Sequence, residues 1–494
     1  MTLERAYSNL DGRLKLFSIL IGVLCLAGVG YFRLNSSFDG ELTVIELLFV
    51  SAIWMLGCVW LWWQSHRWQT PVSLSTVIVF AVLLRLLSIG ASPILEDDGY
   101  RFLWDGRQTV ETGTPYVTAP ADHFDDANLS DEWHDVIDSI NHPEIGTVYG
   151  PSAQITFALA YMIAPGEFWG LQLVLIIFDL VLILLISSVT SARNLMLYAW
   201  SPFVLKEFAF SLHPDAAGAL FLLLAWWCQQ KRLWVFAGVS AAIAVGFKVF
   251  AVIAVPLILG IKLRAWISLV AAALVVSLPF GVFDAWFPDG LKAMGGDWFF
   301  NAPIYISAIG YLPLIWLKLL LGSLLIMYCC RLYWRSFKHE LRTQPESNKT
   351  QFLRKLFGMN QIKNASLTEV RRHEKGIEAY KSEGSKFEDS KFQANKTNVT
   401  QIQYMFALLF ICSPVFNAWY LVWLLVFATI KPTLWAWLAS YVVLLAYFSG
   451  INMPNTNLDL YEQPLWLVWL EFGLIAAAMY FQPKLSKYFS NRFN

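Results

Sequence analysis

From residue 265 to residue 283 the chain runs AWISLVAAALVVSLPFGVF without one charged side chain. A soluble helix of that length would show a polar face at helical spacing. This stretch shows none, and neither does 43–63 (TVIELLFVSAIWMLGCVWLWW). A bilayer core about 30 Å thick is crossed by about 20 such residues in a helix. Composition agrees: 57% of the 494 residues are hydrophobic and 15% are charged. Average soluble chains carry roughly 45–50% and about 25%. The chain therefore reads as an all-α, polytopic transmembrane helical bundle. Its cysteines (Cys25, Cys58, Cys228, Cys329, Cys330, Cys412) fall in or beside apolar runs and show no CxxC spacing. They read as small buried hydrophobes, with no disulfide framework and no zinc site. No nucleic-acid partner is expected.

The basic residues thread the chain, because cytoplasmic loops carry an excess of Lys and Arg. Arg5, Arg13 and Lys15 place the N-terminus inside, and the first apolar run reads as a retained helix. Runs 16–33, 43–63 and 72–91 then leave the acid-rich segment 92–150 outside. Residues 151–165 lie between prolines and would reach roughly 22 Å, too short for a crossing. They read as a re-entrant or interfacial segment on the outer face. Counting them as a span would put Lys231 and Arg232 outside. Run 234–261 is interrupted by Lys248 and reads as two short helices meeting near the outer face. The result is about 14 spans with both ends cytoplasmic. Its parts are an N-terminal helix pair (1–71), a catalytic membrane core (72–330) and C-terminal transmembrane helices (402–494). Between the last two lies a charged cytoplasmic insert (331–401), disordered or loosely helical.

This threading gathers unusual chemistry on the outer face. Residues 96–107 read EDDGYRFLWDGR. Three adjacent carboxylates, Glu96, Asp97 and Asp98, resist ionising together, so at least one should hold its proton near neutral pH. That suits a general base. They could also hold a divalent ion. GTPY with Tyr116 and TVYGPSAQ with Tyr149 follow on the same face. Lys206 and Glu207 lie close to His213 and Asp215. Lys248 stands at a break between helices, where a cation needs an anion to meet. Trp419 and Tyr420 lie in SPVFNAWYLVWL. A lipid-linked sugar phosphate would use all of these. A carboxylate would deprotonate the acceptor hydroxyl, cations would stabilise the departing phosphate, and an apolar groove would hold the lipid.

In these motifs the chain resembles the GT-C superfamily of polyprenyl-phosphate-sugar glycosyltransferases, in particular its mannosyltransferase-like members. EDDGYRFLWDGR is similar to the superfamily's acidic first outer loop, and GTPY and YGP look like its next elements. LHPD (212–215), GFKVFAVIAVPL (246–257) and SPVFNAWYLVWL look like later ones. Asn417 and Ala418 stand where His-Pro often precedes the Trp-Tyr pair. The resemblance implies transfer of a hexose, mannose as first choice, from a polyprenyl-phosphate donor to an acceptor hydroxyl with inversion. It implies Asp97 as base, with Glu96 and Asp98 as alternates. Lys248, with Arg101, Lys206 or His213, would assist the leaving phosphate. Tyr100, Tyr116, Tyr149, Asp215, Trp419 and Tyr420 complete the expected substrate contacts, and no metal or other cofactor is expected. The acceptor would be a glycan, a glycolipid or a protein, and membrane lipid the other partner. The implied setting is a bacterial inner membrane with a periplasmic site, or an endoplasmic reticulum with a luminal one. A transporter or flippase of a lipid-linked or anionic substrate is the competing reading.

Overall fold

The computed structural model describes residues 2–36, 42–68, 70–294, 296, 298–343, 398–453 and 456–493. Most of the insert expected over 331–401 lies outside them. The described residues are helical throughout, apart from loops and one isolated parallel bridge between Phe300 and Val415. Six helices are long and apolar enough to cross a membrane: Asp11–Asn35, Val44–Trp68, Phe168–Ser187, Leu263–Phe280, Leu314–Arg342 and Leu465–Lys484. A seventh crossing arises if Pro202–Phe210 and Asp215–Gln230, bent by 113°, form one span. Six further apolar helices have only 10–17 residues. Helix length therefore does not carry the expected count of about 14. Pro151–Ile163 is likewise a short helix of 13 residues.

The long helices face outward with apolar side chains. Ile267, Val270, Val275, Ile315, Leu319 and Ile326 are all exposed. In water such surfaces would drive association; in a bilayer they meet lipid. The Trp234–Phe247 helix sits between Asp215–Gln230 and Leu263–Ser277. Its Gly238 lies so close to Ala265 that an added Cβ would stand 2.0 Å from that carbonyl oxygen.

One ion pair is buried among the apolar helices. Arg85 Nε donates to Asp179 Oδ2 at 2.8 Å, and Tyr198 donates to Asp179 Oδ1 at 2.7 Å. Arg85 also donates to the carbonyls of Ala81 and Ala199. Desolvating both charges is costly, so each needs the other. The pair joins the Leu74–Leu86 helix to Phe168–Ser187.

A second close approach positions the site. A Cβ on Gly150 would lie 2.4 Å from the Gly246 carbonyl oxygen, and one on Gly246 would lie 2.3 Å from Ser152 Oγ. Only hydrogen fits at this crossing. It brings the YGP turn against the helix end that carries Lys248. Gly150→Val is expected to separate them and cut activity at least tenfold. The protein should also melt several degrees lower, since overpacking costs about 1–3 kcal/mol. Thermal unfolding in detergent and an activity assay measure both.

Candidate functional site

The first site element is the Asp98–Glu111 helix. Its N-terminus collects Glu96, Asp97 and Asp98, and exposed backbone N–H groups there favour negative charge. The helix is buried all the way round from Phe102 to Gly106. Asp105 is anchored there: its Oδ2 accepts from Thr147 at 2.5 Å and from Gln154 at 2.9 Å. Those bonds set the loop that presents Tyr149. Tyr116, from GTPY, donates to the Tyr149 carbonyl at 3.0 Å.

The second element is the bent segment. Leu205–Phe210 forms one turn of π-helix, with Ser211 N–H bonding the Lys206 carbonyl at 2.9 Å. Such turns are rare and recur at functional sites. The widened turn leads directly into LHPD. Leu212 adopts φ 68°, and Leu95, immediately before Glu96, adopts φ 56°. A branched residue at positive φ is strained, and the surrounding packing must hold it there. Both strained leucines immediately precede a charged residue of the cluster.

Together these elements build a layered site. Glu96, Asp97, Asp98, Arg101, Tyr149, Lys248, Trp419 and Tyr420 all line one cavity. Behind it, fully buried, lie Lys206, Glu207, His213 and Asp215. Lys206 Nζ stands 3.3 Å from Glu207 and 3.9 Å from Glu96. Tyr447 donates to both Glu207 oxygens at 3.0 Å. His213 stacks on Trp419 at 3.6 Å between ring centres. Its nitrogens lie 3.9 Å from Asp98 and 3.8 Å from Glu207. Asp215 accepts from Trp423 Nε1 at 2.8 Å.

The Lys248 ammonium lies 4.3 Å from the Tyr149 ring centre and 5.0 Å from that of Tyr420. Among the described residues no carboxylate comes within 4 Å of it. Asp98 and Asp215 attract it from beyond that distance, so a cation in an aromatic-walled cavity still has room to meet an anionic ligand.

Electrostatics sort the acids. Burial raises the pKa of all three above the usual carboxylate range, and repulsion from Asp98 raises Asp97 further, to about 7. For Asp98, burial is opposed first by Lys248 and then by Arg101. One ligand oxygen from each of the three acids falls within 4.8 Å of the others, a donor set that a hard divalent cation could use.

Two expected residues stand away from the cavity lining. Tyr100 packs edge-on against Phe168 at 5.0 Å, and Tyr116 braces the Tyr149 backbone. Arg101 lines the cavity, but its guanidinium also donates to the carbonyls of Asn141, His142 and Ile145 at 2.8–3.1 Å. Sequence reasoning placed Glu207 with Lys206 on the outer face but gave it no role, and it missed Tyr447, Tyr461, Trp298 and Asn141. Glu207 adjoins Lys206 and was visible as a charge in an apolar run. The others come from distant segments and carry no local signal.

An all-helical membrane core around a cavity of adjacent carboxylates, a lysine and aromatic rings defines a membrane-embedded group transferase. Residues 28–264 match a family described as alpha-(1->6)-mannopyranosyltransferase, N-terminal domain. Over those residues the chain is similar to a GT-C-type mannosyltransferase family, which makes it a glycosyltransferase, and the transporter reading gains no support. No curated protein and no solved structure matches the chain.

Proposed function

We propose that the chain transfers mannose from a polyprenyl-phosphate donor to an acceptor hydroxyl on the outer face of the membrane, in one inverting displacement. The observation that carries this reading is the pairing, in one cavity, of a carboxylate that titrates near 7 with a lysine that, among the described residues, no carboxylate approaches within 4 Å. Asp97 accepts the proton of the acceptor hydroxyl. The acceptor oxygen forms its bond to the sugar's anomeric carbon as the bond from that carbon to the phosphate oxygen breaks. Lys248 meets the charge that gathers on the departing polyprenyl phosphate, and Tyr149 and Tyr420 hold the ammonium in place. Charge met where it develops is worth the most to the rate.

The outer-face assignment rests on the distribution of Lys and Arg. Helix length alone gives six or seven crossings, and the remaining crossings of that threading belong to the proposal. A bacterial inner membrane with the cavity toward the periplasm fits that threading. Lys206 supplies positive charge beside Glu96, and no metal is assigned a role.

The matching family makes alpha linkages, so a single inversion requires a beta-configured donor. Purified protein should turn over beta-linked polyprenyl-phosphate mannose and leave the alpha anomer untouched. Turnover of the alpha anomer alone would rule out the single displacement. Lys248→Met should lower kcat by about 10²–10³, the scale of losing one group that stabilises developing negative charge. Donor KM should rise with it, and initial rates at varied donor concentration report both.

A further inference from the structure

The cavity has two chemically distinct ends. At one, Lys248 lies over Tyr149 and Tyr420. At the other, three rings meet. His142 lies 5.6 Å from Trp298 and 5.3 Å from Tyr461, and Trp298 lies 6.2 Å from Tyr461. All three line the cavity and stay half-buried. Trp298 is held in place by its neighbours. Phe300 N–H donates to the Pro414 carbonyl at 2.9 Å, and Phe416 N–H donates to the Phe300 carbonyl at 3.0 Å. The next residue, Asn301, donates to the buried Glu471 carboxylate at 3.1 Å.

The acids divide between these ends. Asp98 lies beside Tyr149, whose hydroxyl donates to it at 3.5 Å, and beside His213. Asp97 turns the other way, toward Asn141, which lies against both the Asp97 carboxylate and the Tyr461 hydroxyl. Trp298 and Tyr461 also fall outside the family match, which ends at residue 264.

This cluster of half-buried aromatics opens into the cavity beside the Asp97 carboxylate and Asn141, so the ring surface left exposed there is flanked by hydrogen-bonding groups. Such a surface fits a pyranose ring: its C–H face lies on the aromatic faces while its hydroxyls reach polar neighbours. A lipid tail would need no amide or carboxylate beside it. A phosphate would favour the Lys248 end. We propose that His142, Trp298 and Tyr461 form the acceptor subsite and seat a sugar ring of the acceptor glycan so that its hydroxyl faces Asp97. This inference rests on the glycosyl-transfer reading above.

The test uses full-length protein in detergent, with polyprenyl-phosphate mannose as donor and an alpha-linked oligomannoside of two to four units as acceptor. Transfer and acceptor-free donor hydrolysis are measured side by side. Trp298→Ala and Tyr461→Leu should each raise acceptor KM at least tenfold. Donor KM and acceptor-free hydrolysis should stay within twofold of the unmodified protein. Trp298→Phe, which keeps a ring, should recover most of the loss. An unchanged acceptor KM, or a rise confined to donor KM, would overturn the assignment. Should Trp298→Ala fail to accumulate, Trp298→Leu fills the space without a ring and carries the same expectation. Failure of the underlying reading looks different: the unmodified protein would not consume the lipid donor, or Asp97→Asn would consume it normally.

Discussion

Asp97→Asn is expected to reduce sugar transfer by at least about 10³-fold, within the range for losing a positioned general base. The amide is isosteric with the carboxyl and cannot accept the acceptor's proton. Protein yield and melting temperature should not fall. The reason lies in the sign of the pKa shift. The folded state holds the Asp97 proton up to about pH 7, well above the usual aspartate value of 3.8. Stability from a raised carboxyl is present at low pH and is lost as pH climbs through the folded pKa. A neutral asparagine escapes that loss, so stability at pH 8 should hold or rise. Activity runs the opposite way. Below pH 7 the base is protonated and idle; above it the carboxylate is free. In the unmodified protein kcat/KM should therefore climb about tenfold per pH unit well below 7 and level off above it. Glu96 and Asp98 titrate in the same cluster, so the profile belongs to the group and not to one residue. A flat profile between pH 5.5 and 8, or an Asp97→Asn protein with near-normal turnover, would remove Asp97 from the role of base.

Asp179→Leu is expected to be the most damaging single change outside the cavity. It would leave the Arg85 guanidinium buried, with Arg85 and Asp179 side chains now only 0% and 4% exposed. Breaking such a pair from one side costs about 3–5 kcal/mol, because the remaining charge has no counterion. That is a large share of the roughly 5–15 kcal/mol that holds a typical domain folded. Little folded protein should be recovered from membranes. The double change Arg85→Met with Asp179→Leu removes both charges and should restore much of the yield, as apolar replacements of buried pairs often do. Size-exclusion profiles and thermal unfolding of the three proteins separate the outcomes. Equal loss in the single and double variants would mean that packing at these positions, and not charge balance, is what matters.

The membrane character, the all-helical class and many of the residues that gather at the cavity were legible from local runs of residues. Apolar stretches long enough to cross a bilayer appear as such in any order of folding, because lipid acts on each helix separately. The EDDGY run also announced itself, since three adjacent carboxylates are costly wherever they fold. The count of crossings was less legible. Prolines, the π-turn at Leu205–Phe210 and the break at Lys248 cut apolar sequence into short helices, and hydropathy does not record where a helix ends.

The sequence by itself determined a helical membrane protein with acids, a lysine and aromatic pairs in motifs that resemble one transferase superfamily. Tertiary structure alone decided which of these meet. Gly150 crossing Gly246 at backbone contact put Tyr149 under Lys248. The bent segment turned Glu207 and His213 inward behind the acids, and the Phe300–Val415 bridge fixed Trp298 across from His142. The physical reason is separation along the chain. Tyr447 bonds Glu207 across 240 residues. No periodicity or spacing records a contact of that range; it exists only once the helices have packed.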